Sequence, residues 1–127
     1  MVFSGRDQTP CILFVDDKDS LRTFVKKILE AEGYQVITTS NSVEALVLAT
    51  DFPDSIDLLL TNMDMKIFHN GMELISCFNI LRPETNILIM SESNLPENYS
   101  DLNFLPKPFS KYELIQAVKS ICSIEFA

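Results

Sequence analysis

The stretch that decides the fold is residues 11–17, CILFVDD, in which five apolar residues are followed by two carboxylates. A short apolar run without polar alternation is typical of a parallel strand that is covered by helices on both faces. The pattern returns in residues 57–61, DLLLT, and in residues 86–90, NILIM. We therefore predict buried strands at 11–15, 57–61 and 86–90.

Segments of helical length separate these strands. Apolar residues at positions 21, 24, 25, 28 and 29 form one stripe of a first helix. Asp19 or Ser20 is its expected N-cap, and Gly33 is its expected end. Capping sequences at Asn41 and Ser110 predict helices that begin there, and a further helix is predicted from 72 to about 81. Two shorter strands are predicted at 35–38 and 103–105.

Strands that alternate with helices indicate a parallel sheet with helices on both faces. We predict an α/β fold with a doubly wound, five-stranded parallel sheet in the order 2-1-3-4-5. Residues 91–103 must supply two loops as well as a helix, so the fourth helix is expected to be short or missing. The expected organisation is an N-terminal tail, 1–9, and one domain, 10–124.

Composition excludes several classes of protein. The chain has 127 residues, a net charge of −8 and only ten Lys and Arg residues, which argues against nucleic-acid binding. A membrane-spanning helix needs about 20 apolar residues, and every apolar run here is much shorter. The first ten residues also lack the apolar core of a secretory signal. Three cysteines without metal-ligand spacing suggest free thiols. We expect a cytoplasmic protein without membrane insertion.

Polar residues stand at the carboxyl ends of the predicted strands: Asp16, Asp17, Asn62, Ser91 and Lys107. In this fold ligands bind beyond those ends, so we expect the five side chains to meet in one crevice. Two adjacent carboxylates suit a hard cation such as Mg²⁺ better than zinc. Taken singly, each residue also has an ordinary explanation as a turn residue, a helix cap or a surface charge. Only the ordered set indicates a site.

This ordered set resembles the receiver domain of two-component response regulators. The resemblance is carried by ILFVDD at 12–17, EGYQV at 32–36, EAL at 44–46, DLLLT at 57–61, GMEL at 71–74, MS at 90–91 and FLPKPF at 104–109. It covers about residues 10–122. It implies a flavodoxin/CheY-like fold and a signalling partner, either a sensor histidine kinase or another signalling protein.

The resemblance also implies roles for single residues. Receivers accept a phosphoryl group from a histidine kinase on an aspartate at the end of the third strand, with Mg²⁺ neutralising charge. The matching positions here are Asp16 and Asp17 for the acidic metal pair, the Asp64 carbonyl for a third metal ligand, Ser91 and Lys107 for the phosphoryl pocket, and Phe104 for the switch aromatic.

Several features depart from the receiver pattern, and two residues, Asn62 and Glu92, bear directly on phosphorylation. The phosphoacceptor position falls on Asn62, and an amide lacks the carboxylate that attack on phosphorus requires. Asn62 also removes an anionic metal ligand, so we expect Mg²⁺ binding to be weak. Glu92 stands where a small residue is usual, and its charge would block an incoming phosphoryl group. We predict a pseudo-receiver, not an enzyme, that acts by phosphorylation-independent protein–protein interaction; its dimerisation stays open.

The sequence is also compatible with other functions. A register shifted by two would make Asp64 the acceptor of a phosphorylatable receiver. Asn62-x-Asp64 is also similar to the Asp-x-Asp of haloacid-dehalogenase-type phosphatases, but the first carboxylate is missing. A nucleotide or flavin binder would need a glycine-rich turn, whereas the first turn reads DDKDS. His69, the single histidine, stands in a predicted loop, and we assign it no phosphoryl or metal role.

Overall fold

The computed structural model describes residues 9–64, 71–92 and 102–122. Within these residues five strands form one parallel sheet in the order 2-1-3-4-5. The strands are β1 (Cys11–Val15), β2 (Gln35–Thr39), β3 (Leu58–Asn62), β4 (Asn86–Ser91) and β5 (Asn103–Pro106). The helices of the same residues are α1 (Asp19–Ala31), α2 (Ser42–Asp51), α3 (Gly71–Leu81) and α4 (Lys111–Ile121). The predicted doubly wound α/β fold is confirmed.

The central strand β1 shows why the sheet is covered on both faces. All five of its residues are buried. Ile12 and Phe14 pack on one face, in the apolar cluster that includes residues of α1 and α4. Leu13 and Val15 pack on the other face with residues of α2 and α3. An uninterrupted apolar run is therefore required, since alternate side chains of a strand point to opposite faces.

The start of α1 differs from the sequence prediction, in which Asp19 or Ser20 was the N-cap. The N-cap is Lys18, and its side chain makes no capping hydrogen bond. Instead, the backbone N–H of Lys18 donates to Oδ1 of Asp16 at 2.8 Å, which fixes the turn between β1 and α1. Asp19 then lies inside the first turn, where its carboxylate contacts the guanidinium of Arg22. The prediction failed because a turn closed by the Asp16 carboxylate, two residues before Lys18, sets this boundary instead of a capping side chain.

The other predicted helix boundaries agree closely with the structure. Oδ1 of Asn41 accepts from the backbone N–H of Glu44 at 2.9 Å, and Ser110 forms a reciprocal capping box with Glu113. Gly33 follows α1 with φ of 100°, a left-handed conformation that favours glycine. Strand β3 ends one residue later than predicted, so Asn62 is its last residue.

Two predictions concern residues that the structure does not describe. The short or missing fourth helix was predicted within 91–103, of which 93–101 lie outside the described residues, as does His69. Among the helices that the structure does describe, none combines the length and apolarity needed to cross a bilayer.

We predict that Phe78→Ala lowers the free energy of unfolding by about 3–5 kcal/mol. Phe78 lies on α3 and is fully buried in the apolar cluster between the sheet and helices α2 and α3. Phe24→Ala is the matched control, since Phe24 also lies on a helix but is 47% exposed. Its cost should be about 1 kcal/mol or less. Urea denaturation of both variants measures the difference, and equal losses would contradict this description of the core.

Candidate functional site at the carboxyl edge of the sheet

The register of the sheet aligns the carboxyl ends of four strands. Strand β3 pairs in parallel with β1 and β4, and β4 pairs with β5. As a result Asp16, which follows β1, and Asn62, which ends β3, lie beside Ser91, which ends β4, and Lys107, which follows β5. Backbone hydrogen bonds continue this alignment past the strand ends, because Lys107 N donates to the Ser91 carbonyl at 2.9 Å. The structure thus brings these four predicted site residues together.

A crevice of about 320 Å³ opens at this edge. Its lining carries three carboxylates and two ammonium groups, with one amide between them: Asp17, Lys18, Asn62, Asp64, Glu92 and Lys107. Five of these six side chains are charged, whereas the walls of a typical cofactor pocket are mostly apolar. The crevice is suited to ions and polar groups.

Asp16 is the buried charge of the site. Its side chain is fully buried, Oδ1 accepts from Lys18 N, and Oδ2 has no hydrogen-bond partner. Nζ of Lys107 lies 3.9 Å from that Oδ2. Burial raises the pKa of Asp16 above its ordinary 3.8, while the Lys18 N–H and the Lys107 ammonium oppose that rise. The Lys107 ammonium therefore offsets a carboxylate charge that has been removed from water.

Asn62 occupies the predicted acceptor position with almost no contact with solvent. Its side chain is 1% exposed, and its Oδ1 accepts from the backbone N–H of Asp64 at 2.9 Å. This bond identifies the oxygen of the amide, because a backbone N–H requires an acceptor. The amide oxygen is therefore engaged in forming the turn after β3.

Asp64 reaches across the crevice to the end of β4. Its Oδ1 accepts from the Ser91 hydroxyl at 3.1 Å, and its Oδ2 accepts from the backbone N–H of Glu92 at 2.9 Å. From the sequence we expected the Asp64 carbonyl as a metal ligand, or Asp64 as an alternative acceptor. The contact of its side chain with the end of β4 was not predicted. The one sequence signal for this contact was the position of Asp64, two residues after β3, beside Ser91 at the end of the neighbouring strand β4.

The remaining predicted residues lie around this centre. Asp17 is partly buried at the crevice wall, and Glu92 is exposed at the end of β4. Phe104 on β5 is partly buried and packs against the apolar cluster on the α2 and α3 side of the sheet. It therefore lies on a strand that borders the site, but in the core rather than in the crevice.

These residues fit Mg²⁺ poorly. The unpartnered Oδ2 of Asp16 is a good oxygen ligand in itself, and Asp17 is adjacent to it. However, the amide oxygen of Asn62 and both carboxylate oxygens of Asp64 already accept hydrogen bonds. Across residues 9–64, 71–92 and 102–122, no group of three or more acidic, histidine or cysteine side chains converges as metal ligands. Mg²⁺ keeps several waters and takes one or two carboxylates, so Asp16 and Asp17 alone, with Asp16 also facing Lys107, would hold it weakly.

We predict that Lys107→Met lowers the free energy of unfolding by about 3 kcal/mol at neutral pH, because it leaves the buried Asp16 carboxylate without a counter-charge. The double variant Asp16→Asn/Lys107→Met should recover most of this loss, as measured in a double-mutant cycle by urea denaturation. Lys111→Met, at an exposed lysine that begins α4, is the control and should change little. A Lys107→Met variant as stable as this control would contradict the ion pair.

Comparisons with the sequences of known proteins point to one family. The family model of the response regulator receiver domain matches residues 12–119. The chain is 31% identical over 115 residues to the transcriptional regulatory protein CpxR of Escherichia coli (strain K12), covering 87% of this chain but only 48% of that protein. It is 30% identical over 115 residues to sporulation initiation phosphotransferase F of Bacillus subtilis (strain 168), covering 85% of this chain and 90% of that protein.

Solved structures share the fold over nearly the whole chain. The chemotaxis protein CheY4 of Vibrio cholerae superimposes with a TM-score of 0.79 at 25% identity, covering 89% of this chain and 98% of that one. The receiver domain of the hybrid histidine kinase CckA gives a TM-score of 0.76 at 28% identity, with 88% and 98% covered. The chain belongs to the response regulator receiver domain family of two-component systems.

Proposed function

We propose that this receiver domain is a pseudo-receiver, which acts through phosphorylation-independent contact with a sensor histidine kinase or another signalling protein. The observation that carries the proposal is the buried amide of Asn62 at the end of β3, where receivers hold their acceptor aspartate. A neutral amide cannot supply the anionic oxygen that attacks phosphorus. Its oxygen is also engaged with the N–H of Asp64.

The charges around Asn62 support the same conclusion. The carboxylates of Asp17, Asp64 and Glu92 all line the crevice. A phosphoryl group brings nearly two negative charges, and these carboxylates, which outnumber the two lysines of the lining, would repel it. Lys107 is already paired with Asp16, so its charge is only partly available to an incoming anion.

The family and the net charge indicate the kind of partner. Receiver domains are signalling modules, and we propose that this one works by binding rather than by catalysis. Its net charge of −8 would favour a partner with a basic contact surface and fast, salt-sensitive association. A DNA-binding role is not proposed for this domain, because its charge has the wrong sign.

The second candidate function is a receiver that is phosphorylated on Asp64, since the Asp64 carboxylate lines the crevice. Both of its oxygens accept hydrogen bonds from the end of β4, which lowers their reactivity as nucleophiles. The two candidates differ in which residue, if any, carries a phosphoryl group.

We predict that incubation with acetyl phosphate and Mg²⁺ leaves the intact mass of the chain unchanged, because the acceptor position lacks a carboxylate. A receiver with an aspartate acceptor, treated in parallel, should gain the mass of one phosphoryl group. An acid-labile adduct on this chain would refute the pseudo-receiver. If Asp64→Asn then abolished the adduct, Asp64 would be the acceptor.

We also predict that Asn62→Asp tightens Mg²⁺ binding by about tenfold or more, because a third carboxylate would join Asp16 and Asp17. Titration calorimetry, or the shifts of backbone amides near the crevice, measures the dissociation constants of both forms. Asp51→Asn, at an exposed acid on α2, controls for a simple change in net charge. Equal affinity of Asn62→Asp and the unaltered chain would show that Asn62 does not limit the metal site.

A further inference from the structure

We propose that Asp64 is an internal anion that permanently occupies the place of a phosphoryl group at the end of β4. This inference rests on the proposed pseudo-receiver function and specifies how its state is set. The carboxylate uses one oxygen for the Ser91 hydroxyl and the other for the backbone N–H of Glu92. Both donors belong to consecutive residues, so together they form a small cradle for an anion.

The match between this cradle and a carboxylate is chemical as well as geometric. Both contacts are hydrogen bonds from neutral donors to charged oxygens, at 3.1 and 2.9 Å, and such charge-assisted bonds are stronger than neutral ones. Ser91 is the residue that matches the phosphoryl-binding hydroxyl of receivers. A phosphoryl oxygen and a carboxylate oxygen would accept from the same donors, so the presence of one displaces the other.

Asn62 has a part in this arrangement. Its amide oxygen accepts from the backbone N–H of Asp64 at 2.9 Å, which holds the turn after β3 and aims the Asp64 side chain toward β4. The neighbouring backbone N–H of Met63 donates to the Met90 carbonyl at 2.9 Å, so the main chain is also fixed to β4. The residue that prevents phosphorylation therefore also positions the substitute anion.

The consequence is a permanent connection between the ends of β3 and β4. In this connection Glu92 acts through its main-chain N–H, while its side chain is exposed. Residues 63 and 64, which follow β3, would be held against the end of β4 without any external phosphoryl donor. A partner would meet one fixed surface instead of a surface that changes with phosphorylation.

Hydrogen exchange of the Glu92 amide tests the connection. We expect Asp64→Ala to reduce the protection of this amide about tenfold or more, because its acceptor is lost. Asp64→Asn preserves the shape but offers a single acceptor oxygen, and its protection should be intermediate. Asp51→Ala, which removes an exposed acid on α2 away from the crevice, should leave protection unchanged.

Inorganic phosphate tests the occupancy of the cradle. At constant ionic strength, titrated orthophosphate should shift the Glu92 amide resonance saturably in Asp64→Ala but not in the unaltered chain. Equal Glu92 protection in the unaltered chain and Asp64→Ala, or equal phosphate responses, would overturn this inference. Either result can occur while the chain still gains no phosphoryl adduct, so this inference can fail while the pseudo-receiver proposal stands.

Discussion

Parallel pairing in register is the constraint from which the site follows. Because β1, β3, β4 and β5 run in the same direction and end at the same level, residues distant in sequence become neighbours at one edge. Asp16, Asn62, Ser91 and Lys107 need no loop of their own to meet. The apolar runs that precede them are buried on both faces, which fixes the register and keeps the polar ends in place.

Part of the charge at this edge is offset within the protein itself. Asp16 is fully buried, its pKa is raised mainly by loss of hydration, and Lys107 lies close enough to offset its charge. Asp64 is satisfied by donors at the end of β4. A receiver that binds Mg²⁺ and a phosphoryl group obtains this balance from its ligands. Here the Lys107 ammonium and the donors at the end of β4 provide part of it.

The exchange of an acid for an amide therefore has two physical effects. An amide is uncharged, so Asn62 contributes neither a nucleophile nor an anionic ligand. It still has a hydrogen-bond acceptor, and that acceptor orders the turn that carries Asp64. A hydrophobic residue at position 62 would have removed the charge but left the N–H of Asp64 without this partner, at a cost typical of buried unsatisfied groups. Asparagine removes reactivity and retains local structure.

The sequence by itself determined the five strands and the members of the polar edge, because apolar runs that end in polar residues mark buried strands and their carboxyl ends. The order 2-1-3-4-5 came from the common arrangement of doubly wound five-stranded sheets. It also placed an amide and not a carboxylate at residue 62, and the residue type alone decides that chemistry. The N-cap at Lys18, the pairing of Lys107 with Asp16 and the contact of Asp64 with Ser91 and Glu92 were decided only by the tertiary structure. The contacts of Lys107 and Asp64 join the ends of separate strands, and their partners depend on distances of a few ångström that no local pattern encodes. The N-cap depends on how the Asp16 carboxylate is held at the end of β1.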